Sequence, residues 1–275
     1  MTADDVRHLH RPDGVVLPYR VLGDGSGPRL LFAHALTAPG LRADEFFVPL
    51  LGRGWTVATL DQRNHGEASF VTDPVLLRLA AFGDDLVAVL DDLGWDRVWW
   101  CGGSMGAATV LAATEAVPER VAGMALIAPA VGPELNAGRD DFLAIAAAFR
   151  TGGADAGIAR WRGQLTARGA DTAALDQRAG MLRARDPTAT ACLLEAVMGW
   201  TAGSAIDAVR QLTVPVLVLG WTGDDIHPWS LAEQIAATAP QGRVHRLWDA
   251  DDSGGPELMS EALADMLTDA LVQAP

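Results

Sequence analysis

Short apolar runs separated by helix-patterned stretches constrain what this chain can fold into more than any other feature. Residues 30–33, 57–60, 98–101, 124–128 and 214–219 are almost unbroken in apolar side chains. A strand with one wet face alternates polar and apolar residues. A run without alternation needs cover on both faces, which is the situation of strands in a parallel sheet. Helical patterns occupy 84–93, 105–116 and 229–237. A last strand over 244–248 precedes a last helix over 256–271. Val15, Leu17, Tyr19 and Val21 do alternate, which predicts an early antiparallel strand. The whole pattern predicts an α/β fold with a mostly parallel, doubly wound sheet.

The rhythm breaks over 133–207. That stretch carries no strand signal, is rich in alanine, and is interrupted at Gly152-Gly153, Gly169 and Pro187. It holds Phe149, Trp161, Met181, Met198 and Trp200, enough apolar surface to need burial against something. We expect a helical cap over 133–207, inserted into a core built from 1–132 and 208–275.

The segment Gly102-Gly103-Ser104-Met105-Gly106 lies between the apolar run Val98-Trp99-Trp100-Cys101 and an alanine-rich helical run. A G-x-S-x-G turn between strand and helix holds its serine in a strained conformation. Small residues are then required two places either side. The turn lifts the hydroxyl off the sheet edge, and the helix N-terminus behind it favours developing negative charge. Ser104 is therefore the candidate nucleophile.

Bulk properties exclude other classes. The 275 residues suit one large α/β domain, and a hydrophobic fraction of 49% excludes disorder. A formal net charge of -14 argues against nucleic acid and anionic membrane as partners. The start, Met1-Thr2-Ala3-Asp4-Asp5, lacks the pattern of a signal peptide, and no apolar run is long enough to span a membrane. Cys101 and Cys192, both among apolar neighbours, read as reduced thiols. A cytoplasmic protein is expected. The run Asp249-Ala250-Asp251-Asp252-Ser253-Gly254 has the flavour of a calcium loop, but Ser260 stands where its later glutamate belongs. No metal or cofactor is expected.

Three blocks resemble the α/β-hydrolase superfamily, and the resemblance extends over nearly the whole chain. Leu31-Phe32-Ala33-His34-Ala35-Leu36-Thr37 is similar to that family's strand and His-Gly loop, with Ala35 in place of the glycine. Asp61-Gln62-Arg63-Asn64-His65-Gly66-Glu67-Ala68-Ser69 is similar to its D-x-R-G-H-G-x-S turn. The third block is the serine turn itself. The resemblance implies an oxyanion hole from the backbone N–H groups of Ala35 and Met105. It also implies an orienting acid at Asp224, four residues before Pro228, with Asp225 as the near miss.

One position departs from the family pattern. After the last strand the family has a histidine, and here Asp252, or Asp251, occupies its place; no histidine follows His245. A carboxylate with an ordinary pKa of about 3.9 is a poor acceptor for a serine proton at neutral pH. Of the six histidines, His8 and His10 fall in the N-terminal tail and His245 in a strand. His34 and His65 occupy family positions that stabilise loops. His227, on the loop that carries Asp224, is the candidate displaced base, with pocket lining as its other reading. His34, Trp161, Trp200 and Trp221 are candidates for lining the substrate pocket. The expected ligand is a small, largely apolar carbonyl compound. Three functions stay open at this point: an esterase or lactonase with a non-standard base, a hydrolase-fold lyase, cyclase or rearrangement catalyst, and a ligand-binding pseudoenzyme.

Overall fold

A computed structural model describes residues 6–38, 40–167, 172–249 and 255–273. Eight strands form one sheet: β1 (Arg7–His10), β2 (Val16–Leu22), β3 (Arg29–Ala33), β4 (Thr56–Leu60), β5 (Val98–Gly103), β6 (Val121–Ile127), β7 (Val216–Gly220) and β8 (Gly242–Arg246). Their spatial order is β1-β2-β4-β3-β5-β6-β7-β8. β1 pairs with β2, and β2 with β4, antiparallel; every other neighbouring pair is parallel. The predicted α/β architecture with a mostly parallel sheet is the one observed.

The unbroken apolar runs find the two-sided burial they need. In β3, Leu30 and Phe32 enter one core while Leu31 and Ala33 enter the other. Trp99 and Trp100 of β5 divide in the same way, as do Leu217 and Val218 of β7. Helices α1 (Asp44–Leu51) and α9 (Pro256–Gln273) pack together over the first face. Helices α2 (Leu79–Leu93), α3 (Met105–Ala116) and α8 (Trp229–Thr238) serve the second. α3 is buried on nearly every side, and its small residues permit this: α2 approaches so closely at Gly83 that a Cβ there would meet the Ala113 nitrogen at 2.9 Å.

Two strands differ from expectation. β1 places His8 and His10 in the sheet, paired with Pro18 and Val16, where the sequence suggested a tail. Three of its four residues, Arg7, His8 and His10, are polar and exposed, so no apolar period announces it. β8 runs over Gly242–Arg246 instead of 244–248; it too is an exposed edge with little burial to fix its register.

Between β6 and β7 the described residues contain no strand. α4 (Arg139–Ala167), α5 (Thr172–Arg183), α6 (Pro187–Val197) and α7 (Gly203–Ala208) fill this interval. α4 packs on α5 and α6, and α6 reaches the short helical turn Pro74–Leu77. α4 breaks at Gly153, where φ is 70° and ψ -163°. α7, although inside 133–207, packs on α3 and α8 in the layer covering the sheet.

Candidate active site

Ser104 stands between the end of β5 and the start of α3 with φ 51° and ψ -112°. Such a conformation costs a non-glycine residue about 1–3 kcal/mol and persists only where the surroundings enforce it. They do. The Ser104 N–H donates to the Ile127 carbonyl at 2.9 Å. A Cβ at Gly102 would lie 2.3 Å from the Gly106 oxygen, and one at Gly106 would lie 2.0 Å from the Ala33 oxygen. The two flanking glycines are therefore required by contact, and the second brings the start of α3 against the end of β3, where Ala35 follows.

The loop after β7 supplies the partners. His227 Nε2 lies 2.9 Å from Ser104 Oγ. His227 Nδ1 lies 2.7 Å from Asp224 Oδ2. Because the carboxylate accepts, Nδ1 carries the proton and the Nε2 lone pair faces the serine hydroxyl. Asp224 and His227 are only three residues apart, and the loop closes tightly to bring their side chains together. Gly223 has φ 80°. Asp224 Oδ1 accepts the backbone N–H groups of Ile226 at 2.8 Å and His227 at 3.2 Å, a side-chain turn that folds the chain back over its own carboxylate. Burial works against the charged form of Asp224, but the hydrogen bond and charge of His227, with the two backbone donors, outweigh it and hold the carboxyl well below the usual range. Asp225 is exposed.

The aromatic residues divide. Trp221 donates its indole N–H to Asp224 Oδ2 at 3.1 Å and stacks on Trp248 with centroids 4.8 Å apart. It supports the acid. Trp200 donates to the Leu77 carbonyl at 3.0 Å and packs edge-on against Phe82, so it belongs to the core and not to a pocket wall. Trp161 does line a cavity, with Leu36, Thr37, Phe149, Leu193 and Arg185. That cavity lies where α4–α6 meet the loop after β3, and its free space is about that of one water.

His34 is also a correction to the pocket-lining expectation. Its Nδ1 donates to the Ala35 carbonyl at 2.8 Å, and its Nε2 accepts the Gln62 N–H at 3.0 Å. Only 1% exposed, it braces the loop from below. Burial lowers its pKa to about 4 against the opposing pull of Asp61 and the Ala35 carbonyl. His65 stands edge-on to it at 4.6 Å, facing the carbonyls of Arg63 and Leu36. Burial, Arg185 and His34 hold His65 well below its ordinary value as well. Asp252 lies outside the described residues. No cluster suited to a metal ion occurs among the described residues.

Two residues carry no signal in the sequence. Asn136 donates to the carbonyls of Ala130 and Ile226, both at 2.8 Å, and so ties the segment between β6 and α4 to the loop that carries Asp224 and His227. Arg185 is 5% exposed in the turn between α5 and α6, within a polar stretch that reads as surface.

A family model described as alpha/beta hydrolase fold matches residues 28–255. A 3-oxoadipate enol-lactonase of Acinetobacter baylyi is 30% identical over 99 residues, which are 36% of this chain and 35% of that protein. The chain thus matches about a third of the length of this relative. A hydrolase from Pseudomonas aeruginosa superposes with TM-score 0.79 at 23% identity, covering 97% of this chain and 99% of that one. The enol-lactonase from Burkholderia xenovorans LB400 gives TM-score 0.74 at 19% identity over 97% of this chain and all of its own. At these identities the two structures speak for the fold.

Proposed function

The chain belongs to the α/β-hydrolase fold family, and from that premise we propose that it is a serine-dependent hydrolase of esterase or lactonase type acting on a small, largely apolar carbonyl compound. The observation that carries this is the unbroken line from Asp224 through His227 to Ser104 Oγ, at 2.7 and 2.9 Å. A binding protein gains nothing from a strained serine facing an imidazole lone pair. The partial likeness to an enol-lactonase agrees with the ester or lactone class.

In this reading Ser104 Oγ attacks the carbonyl carbon while His227 Nε2 takes its proton. Asp224 holds the imidazole in the required tautomer and stabilises its charged form. The developing oxyanion is held by the N–H groups of Ala35 and Met105. When the tetrahedral species collapses, the C–O bond to the leaving alcohol breaks and that oxygen takes the proton from His227. Water, deprotonated by the same nitrogen, then attacks the acyl-serine, and Ser104 Oγ recovers its proton as the acid leaves. Asp252 has no part in these steps.

A fluorophosphonate probe tests the assignment. Intact mass should show one adduct on the wild-type protein and none on Ser104→Ala. Equal labelling of the two proteins would remove Ser104 from the mechanism.

A further inference from the structure

We propose that Arg185 receives a carboxylate carried by the substrate, so that the compound turned over is an anionic ester or lactone. This inference rests on the reading of Ser104 as nucleophile and specifies what that site accepts.

The chain itself shows how a buried arginine is ordinarily satisfied. Arg63, 1% exposed, is clamped by both oxygens of Asp85 at 2.6 and 2.8 Å and by Asp13 at 2.7 Å. Arg185, 5% exposed, has nothing comparable. Its Nη1 reaches the Leu36 carbonyl at a long 3.5 Å. Among the described residues, no carboxylate oxygen lies within ion-pairing distance of it. Asp61 acts on it only from a distance, since its own oxygens accept the N–H groups of Leu41 at 3.1 Å and Glu67 at 3.0 Å. Burial lowers the Arg185 pKa to about 10, with Asp61 opposing, so the guanidinium remains a cation at neutral pH. An enclosed charge without a counter-ion is costly, and an incoming carboxylate relieves that cost through two parallel N–H···O bonds.

The location fits a substrate group. Among the described residues, Arg185 is the one charged residue lining the cavity under α4–α6, with Leu36, Phe149, Trp161 and Leu193. Leu36 directly follows Ala35, whose N–H is assigned to the oxyanion. A short apolar chain that carries a carboxylate matches apolar walls with one guanidinium among them. The cavity has room for about one water, so α4–α6 must part to admit such a molecule.

The test compares monoethyl adipate with ethyl hexanoate, which share a six-carbon acyl chain and differ in the terminal charge. Wild type should favour the anionic ester at least about tenfold in kcat/KM, and Arg185→Met should lower that preference about 100-fold, with Arg185→Lys between them. Equal use of both esters by wild type, or a preference unchanged in Arg185→Met, overturns the proposal while leaving the serine assignment intact. If Arg185→Met does not fold, the wild-type ratio alone decides. If neither ester is hydrolysed, the hydrolase reading falls, and adipate binding to Ser104→Ala decides the anion site separately. A rise in Tm with adipate that disappears in Ser104→Ala/Arg185→Met supports it; no rise overturns it.

Discussion

His34 and His227 occupy opposite kinds of site within one molecule. His34 sits beneath the loop after β3 with both ring nitrogens engaged by backbone and without a carboxylate hydrogen bond. His227 is half-buried, with a carboxylate on one nitrogen and a hydroxyl on the other. Burial without an anion in contact fixes an imidazole as neutral scaffolding. In the proposed mechanism, the Asp224 carboxylate in contact with Nδ1 is the partner of the charged ring while Nε2 faces the serine. The identity of the residue says nothing about which of these it will be; its immediate acceptors decide.

The sharpest way to break this contrast is to remove the exposed ring. His227→Ala should lower kcat by about 10⁴-fold, while Asp252→Ala should change it by less than about threefold. Steady-state rates on an ester substrate measure both, and a larger loss at Asp252 would return the base to the position after the last strand.

The buried ring predicts an effect on stability instead. An unfolded histidine titrates near pH 6.5 and folded His34 near 4. Between those values the unfolded chain holds the extra proton, so stability falls as pH drops through this window. His65 acts in the same direction. Unfolding free energies from urea titrations should decline by up to a few kcal/mol from pH 7 to about 5.5, above the range where most carboxylates titrate. Midpoints that stay level would mean that these rings charge freely in the fold.

The smallest expected effect probes the support of the acid. Trp221→Phe keeps the stack on Trp248 but deletes the indole N–H that Asp224 accepts, so kcat should drop about three- to tenfold with KM little changed. A rate equal to wild type would show that the His227 bond and the two backbone donors suffice to hold the carboxylate.

The sheet was legible because its central strands are buried on both faces and their apolar runs advertise it. β1 and β8 were poorly legible for the converse reason: exposed edges leave no periodicity to read. Ser104 followed from spacing, because only glycine tolerates the contacts at positions 102 and 106. His227 emerged by elimination among six histidines and by sharing a loop with Asp224. Their mutual geometry did not follow, since three residues of separation in an extended chain would point the two side chains apart. The turn at Gly223 and the Asp224 carboxylate's hold on Ile226 and His227 supply what spacing omits. Trp200 was placed on the pocket wall because composition does not reveal where the connection between two helices will turn its side chain; it lies between α6 and α7 and packs on Phe82. Arg185 was missed because Arg183-Ala184-Arg185-Asp186 looks like any solvated turn.

Placing acid and base on one short loop makes them a single moving part. In a triad drawn from three separate segments, two distances drift independently whenever the scaffold breathes. Here the Asp224–His227 distance is internal to four residues of chain, and the separation from Ser104 remains as the adjustable coordinate. Asn136, just before α4, grips that part at Ile226. A shift of the segment that carries Asn136 would therefore reach the proposed base through Ile226, the residue next to His227.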